Sequence, residues 1–292
     1  MNLKSSYSHK NRKPESGLLY IVGTPIGNLS DISQRALEIL KDVSFILCED
    51  TRQTQKLMNR YELTNSLKSF NQINSSKKIP KIITALLSGK SIALVSDAGM
   101  PSICDPGEDL VKEVRSLGLN IICIPGPCAA SAALVSSGFP SSKFIFEGFP
   151  PRKKSEREKL FLEISKNEKT TILYESPHRL KKLLLELKVH CGGEREIQVF
   201  RELTKKFEEH VGANINEVIS FFENKEVLGE ITVVIKGITK SKKKSLYDRS
   251  DLKKELNDLV KAGLSLPEAS KYLAKKKNLS KKEVYNTYEK VN

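Results

Sequence analysis

Apolar positions in the first half of the chain fall in short, almost unbroken runs: residues 18–23 (LLYIVG), 44–48 (SFILC), 91–95 (SIALV) and 120–124 (NIICI). Each run is bounded by glycine, proline or acidic residues. Continuous apolar character of this length predicts strands buried on both faces of a largely parallel sheet. Between them, residues 51–61, 77–87 and 105–117 carry the mixed spacing of amphipathic helices. A further helix is predicted from Asp31, with Gln34 as its capping partner. Strand and helix alternate, which is the pattern of an α/β fold.

A second alternating set begins near Ser142. Strands are predicted at 143–147, 170–174, 196–201, 207–211 and 230–236, and helices at 155–166, 177–188 and 214–224. Ser155 with Glu158 reads as a capping box. After Gly237 the run KSKKKS reads as a linker to a small helical module with start signals at Ser250 or Asp251, at Ser265 with Pro267 and Glu268, and at Ser280 with Glu283. Its short turn at 262–265 is of the helix-turn-helix kind. The expected organisation is a basic N-terminus (1–17), an α/β domain (18–126), a second α/β domain (127–239) and a basic linker with a helical module (240–292).

Charge sharpens this division. Of 292 residues, 49 are Lys or Arg and 35 Asp or Glu, for a net charge of +14. Residues 1–17 carry +3 and residues 240–292 carry +8, leaving only +3 for the long middle. A polyanionic partner, nucleic acid before anionic membrane, is consistent with such ends. Five cysteines are odd in number, scattered and never spaced C-x-x-C, and four histidines form no ligand pair. Disulfide frameworks and metal sites are therefore not expected, and a cytoplasmic, reducing setting fits best. The uncharged stretch 120–142 is long enough for a bilayer but is broken by prolines, glycines and five serines, so no membrane span is expected.

Three turns stand out because each follows a predicted strand: residues 23–28 (GTPIGN), 96–107 (SDAGMPSICDPG) and 125–130 (PGPCAA). The first is neither a dinucleotide fingerprint nor a P-loop. In an α/β sheet, loops at the carboxyl ends of strands converge on a ligand crevice. The distal part of the second loop also reads as a helix start, with Asp105 as N-cap and Pro106 in the first turn.

These loops, together with CEDTRQT (48–54), GFPPRKK (148–154), LYESPHR (173–179) and RELTKKFEE (201–209), occur in one order. The set resembles the ribosomal RNA small subunit methyltransferase I family of the tetrapyrrole-methylase superfamily, over about residues 17–237 and with a similar helical tail. Cys104 and Cys128 depart from it, standing where that family usually has serine. The resemblance implies two α/β domains of the tetrapyrrole-methylase type with S-adenosylmethionine in the cleft between them. It implies a cofactor site at Pro25, Asp97, Ala98, Gly99, Met100, Ile103, Cys128, Ala129 and Leu203. It also implies, as substrate, the ribose 2′-hydroxyl of a cytidine in the decoding region of 16S rRNA, as free RNA or in the small subunit, and a homodimer. Methyl transfer from a sulfonium needs no metal. It gains from alignment and from a base or cation at the developing alkoxide. Candidates are Glu49, Asp50, Arg52, Asp97, Glu202 and Lys205. His178, just after Pro177, reads as a packing or capping residue, while Tyr174 and Glu175 at a strand end are placed to face the cleft. Arg152, Lys153, Lys154 and Arg157 form a basic patch expected to meet RNA phosphates. Two alternatives keep parts of this reading: a methylase of tetrapyrrole carbons, and a non-catalytic RNA-binding ribosome-assembly factor.

Overall fold

A computed structural model describes residues 16–239, 249–277 and 281–289. The chain divides into two compact units, one ending at Ile238 and the other beginning at Thr239. The first unit holds two five-stranded sheets. One contains β1 (Leu18–Val22), β2 (Phe45–Cys48), β3 (Leu67–Ser69), β4 (Ile92–Leu94) and β5 (Asn120–Ile124), in the order β3-β2-β4-β1-β5 and parallel throughout. Every residue of β1, β2 and β4 is buried, because helices cover both faces: α1 (Gln34–Asp42) and α2 (Thr51–Arg60) pack on one side, α3 (Ser75–Leu87) and α4 (Glu108–Ser116) on the other. β3 escapes sequence reading because it is a three-residue edge strand, LKS, with no fully buried residue.

The second sheet contains β6 (Phe144–Gly148), β7 (Thr170–Glu175), β8 (Glu196–Arg201), β9 (Glu209–Asn214) and β10 (Ile231–Ile235), ordered β6-β7-β10-β8-β9. Only β6 and β7 are parallel; the other neighbours are antiparallel. A short connection joins β8 to β9 as a hairpin, and a link of that length cannot make a parallel crossover. α6 (Lys154–Lys166), α7 (Pro177–Cys191) and α8 (Ile215–Phe222) cover one face. The other face packs against α5 (Ala129–Ser137) through Ala130, Ala133, Leu134, Ile172, Phe200 and Val234. The chain thus passes from one sheet to the other at the turn 125–127.

Three helix starts differ from expectation. Asp31 ends a 3-10 turn, and Ser33 is the true N-cap of α1, accepting from the Ala36 amide at 3.1 Å. α6 begins at Lys154, so Ser155 lies inside it and makes no cap. α4 starts after Gly107, not Asp105. Of these three, only α1 is capped by a short polar side chain; α6 and α4 start after Lys153 and Gly107 with no side-chain cap, so the direction of entry set by the rest of the fold overrides the local capping preference there.

The second unit comprises α9 (Arg249–Lys261), α10 (Leu266–Lys277) and α11 (Lys281–Glu289). Leu252, Leu256, Leu273 and Val284 form its core. Glu268 accepts from both the amide and the hydroxyl of Ser265 at 3.2 and 2.5 Å, which is the expected capping pair. The predicted start at Ser280 lies outside the described residues. Among the described residues no helix is long and apolar enough to cross a membrane.

Candidate functional site

The three turns meet at the carboxyl ends of β1, β4 and β5. Thr24 and Gly99 exchange backbone hydrogen bonds at 2.8 and 3.1 Å, and the Thr24 hydroxyl donates to the Ser96 carbonyl at 3.2 Å. The first and third turns touch backbone to backbone at Gly23 and Gly126. A Cβ on Gly23 would lie 2.7 Å from the Gly126 Cα and 2.6 Å from the Met100 sulfur. These two glycines therefore serve the packing of loop on loop. In the middle turn, Ser102 and Cys104 adopt left-handed φ of 69° and 64° without being glycine. Strain of this kind persists only where surrounding structure enforces it, and it gathers at binding sites.

The second sheet contributes the facing wall. After β8, Glu202 and Thr204 are again left-handed, with φ of 53° and 66°. The Thr204 hydroxyl accepts from the Asn28 amide at 3.1 Å, and Lys205 packs so closely over Gly27 that any Cβ there would collide with it. Lys205 donates to Glu202 at 2.8 Å and to Glu230 at 3.1 Å.

Between the walls is a cavity of about 360 Å³, a size suited to a small-molecule ligand. Ala98, Gly99, Met100, Ile103, Cys128, Ala129 and Leu203 all line it, as do Tyr174 and Glu175. Pro25 and Asp97 do not; they border an adjoining pocket shared with Ala98, Lys205 and Glu230. Asp97 continues into a third, more open depression with Glu49, Asp50 and Arg52. Ala98 and Glu230 border both the cavity and the adjoining pocket, and Asp97 borders that pocket and the open depression, so the three run on as one trench along the strand ends. Among the described residues, no group of three His, Cys, Asp or Glu could hold a metal ion.

Asp105 also lines the cavity. Its position before α4 predicts a helix cap; Gly107 takes that place, and the carboxylate lines the cavity instead. Phe149, Phe200 and the segment 229–232 were likewise missed, since nothing local marks a residue that becomes a wall only through the second sheet.

Burial, then the charges of Glu49 and Asp97, push the Asp105 carboxyl up to about 6. Burial and the same acidic neighbourhood raise Glu49 and Asp97. Asp50 goes the other way: hydrogen bonds from the Arg52 side chain and amide hold it at about 2. Burial opposes the charge on Lys205, but its bonds to Glu202 and Glu230 outweigh it and lift the ammonium above its usual value. Glu202, also opposed by burial, is lowered by Lys205 and the Glu230 amide. Lys205 is thus a fixed cation rather than a base. Burial raises Tyr174, whose hydroxyl accepts from the Ala130 amide at 3.1 Å. Cys104 is raised by burial, Asp105 and Cys128, so at neutral pH it is a protonated, weakly donating thiol.

Asp105 has a stability consequence. Its folded-state value lies above its unfolded one, so the fold favours the protonated form, and stability falls as pH rises from about 4 through about 6. Asp105→Asn is expected to stabilise the ligand-free protein at pH 8 by on the order of 1 kcal/mol after solvent screening, with little effect at pH 4. Thermal melts at the two pH values check this. Equal shifts at both would refute it.

The basic patch divides. Lys153 and Lys154 are exposed, engaged only in surface pairs with Glu156 and Glu158, and Arg152 is exposed beside them. Arg157 departs from expectation. It is 4% exposed and paired with Glu186 at 2.6 Å and Glu175 at 3.5 Å. Helix periodicity turns it inward from its neighbours, so it does not present its charge to an external phosphate.

Comparison with known proteins follows the same outline. Residues 18–219 match the family described as Tetrapyrrole (Corrin/Porphyrin) Methylases. The chain is 41% identical over 281 residues to ribosomal RNA small subunit methyltransferase I of Bacillus subtilis (strain 168), covering 95% of this chain and 96% of that protein. It is 48% identical over 221 residues to the protein of the same name from Thermotoga maritima, covering 76% of this chain and 99% of that one. Among solved structures, a cobalt precorrin-4 methyltransferase superimposes with TM-score 0.58 at 16% identity, over 75% of this chain and 95% of that one. Diphthine synthase gives TM-score 0.56 at 14% identity, over 75% and 90%. At these identities the likeness is one of fold.

Proposed function

The chain belongs to the tetrapyrrole methylase family, within its ribosomal RNA small subunit methyltransferase I members, and from that premise we propose that it methylates small-subunit rRNA with S-adenosylmethionine as donor. The acceptor in this reading is the ribose 2′-hydroxyl of a cytidine in the decoding region of 16S rRNA. The observation that carries the reading is the cavity itself, closed by three strand-end loops from one sheet and the 203 and 229–232 segments from the other.

The residues present fit such a cofactor. Ile26, Met100, Leu203 and Phe200 supply apolar surface for a flat base, and Asp105 supplies negative charge for a cationic ligand. When bound, S-adenosylmethionine supplies an electrophilic methyl group on a sulfonium. The trench beside the cavity would take the nucleotide. Glu49, whose raised pKa makes it a stronger base than the Arg52-bound Asp50, receives the proton from the ribose hydroxyl. Lys205, held charged by two carboxylates, stabilises the developing alkoxide. Glu202 orients Lys205, and Asp97 accepts from the Asp50 amide at 3.0 Å and fixes the loop carrying Glu49. Because its carboxylate lines the cavity and would face a cationic cofactor there, Asp105→Asn is expected to weaken cofactor binding about tenfold while stabilising the empty protein above about pH 6.

Methyl incorporation from labelled cofactor into isolated small subunits, followed by nucleoside analysis, tests the reading. Label in a 2′-O-methylated cytidine supports it. Label at another position of the RNA, or in no acceptor while a tetrapyrrole offered in a parallel reaction is methylated, would overturn it.

The helical unit supplies charge rather than chemistry in this reading. Removing residues 240–292 deletes net +8. The truncated protein is expected to bind cofactor as before, to bind RNA more weakly, and to show a shallower dependence of RNA affinity on salt. Filter-binding titrations across a salt series check it; an unchanged slope would show that the helical unit adds no phosphate contact to those of the 152–154 side.

A further inference from the structure

The GFPPRKK loop leads from β6 to α6 beside the cavity, and its exposed cations are held from beneath by an ionic cluster. At the centre is Glu175, the last residue of β7. Its side chain has no solvent exposure, and it lines the cavity. One carboxylate oxygen accepts from the Ser176 amide at 2.9 Å and pairs with the Arg179 Nε at 3.3 Å. The other accepts from Arg157 Nη2 at 3.5 Å. The carboxylate is thereby committed to its neighbours and is not a base for the reaction.

The two arginines each have a second task. Arg157 donates through Nη1 to the Pro151 carbonyl at 3.5 Å and through Nε to Glu186 at 2.6 Å, with its guanidinium over the Phe161 ring at 4.9 Å. Arg179 donates through Nη2 to the Pro150 carbonyl at 2.9 Å. Prolines have no N–H to give to a ladder, so this part of the loop can be anchored only through its carbonyls, and both carbonyls are taken by the cluster. A buried ion network of this kind gives little net stability over apolar packing. Planar guanidinium forks can serve a carboxylate and a carbonyl together, which a lysine ammonium on one stem cannot reproduce.

We propose that Glu175, Arg157 and Arg179 are positioning residues for the substrate: they hold the Pro150–Pro151 segment so that Arg152, Lys153 and Lys154 face RNA phosphates at the rim of the cofactor cavity. The inference rests on the RNA-methyltransferase reading above. It assigns Arg157 a role through the loop in place of a direct phosphate contact. It also links the cavity wall and the RNA-facing loop through one carboxylate.

The test uses the full-length protein with isolated small subunits, measuring kcat, the KM for subunits, cofactor Kd by calorimetry and the melting temperature. Arg179, partly exposed, is the variant least damaging to the fold. Arg179→Ala is expected to raise the subunit KM about fivefold to tenfold, with a shallower salt dependence and with kcat and cofactor Kd within about twofold. Arg179→Lys is expected to restore little of the loss. Adding Arg179→Ala to a triple Arg152→Ala, Lys153→Ala, Lys154→Ala protein is expected to raise the KM no further, because the cluster acts through that loop. An unchanged KM, full additivity with the triple variant, or outright unfolding of both Arg179 variants would overturn the proposal. Failure of the wild-type protein to methylate subunits would overturn the functional reading and this inference with it. A wild-type protein that methylates while Arg179→Ala keeps its KM removes only the inference.

Discussion

A Gly23→Ala protein is expected to lose cofactor affinity by about two orders of magnitude while remaining folded. The added methyl group has nowhere to go: it would lie 2.7 Å from the Gly126 Cα, 2.8 Å from the Gly126 nitrogen and 2.6 Å from the Met100 sulfur. Two of those neighbours are backbone and cannot rotate aside, so the loops after β1 and β5 must separate. Overpacking of this sort costs about 1–3 kcal/mol. The cavity suffers more than the fold because its lining at Met100, Cys128 and Ala129 flanks that contact. Gly138→Ala is the control. Gly138 ends α5 with φ of 70° and nothing within 4 Å of an added Cβ, so alanine there costs about 1–2 kcal/mol of backbone strain and leaves the cavity intact. Calorimetric titration with the cofactor, alongside thermal melts, separates the two. Comparable destabilisation with affinity lost only in Gly23→Ala is expected; equal affinity in both proteins would show that the Gly23–Gly126 contact does not shape the cavity.

Lys205→Ala is expected to lower kcat about 100-fold with cofactor affinity changed little. Lys205 borders the pocket next to the cavity, and its charge is held by Glu202 and Glu230 at 2.8 and 3.1 Å. One preorganised donor at a developing oxyanion is worth roughly 10²–10³ in rate. Removing it also leaves Glu202 without its partner beside the Glu230 amide, at a cost of about 1–2 kcal/mol in stability. Lys205→Arg keeps the charge but brings a wider planar head to a site packed against Gly27, and is expected to recover only part of the rate. Single-turnover rates at saturating cofactor and RNA check this. Full turnover by Lys205→Ala would remove the residue from the chemistry. Glu49→Gln provides the complementary loss: the wild-type rate should fall as pH drops through the raised Glu49 pKa, and the variant should lack that limb.

Much of the first sheet was legible because its strands are buried on both faces, and such burial writes an unbroken apolar run into the chain: LLYIV, FILC and IAL are entirely buried. The loops were legible for a related reason. A chain that must turn sharply at a strand end uses glycine and proline there, and three such clusters marked the three turns that line the cavity. The second sheet was legible as strands but not as a pairing scheme. Whether β10 runs with or against β7 depends on how the chain returns through α8, and no run of side chains records that.

The amino-acid sequence by itself determined the alternating elements, the three glycine- and proline-rich turns at strand ends, the family and the concentration of charge at the two ends. Local propensity, burial periodicity and turn chemistry act over a few residues and so leave a local record. Only the tertiary structure decided that Gly23 and Gly126 touch across about a hundred residues, and that Asp105 faces the cavity in place of capping a helix. It alone turned Arg157 inward to Glu175 and Glu186, 18 and 29 residues away. Those outcomes depend on desolvation and close packing between distant segments, and a residue carries no mark of them until its neighbours are in place.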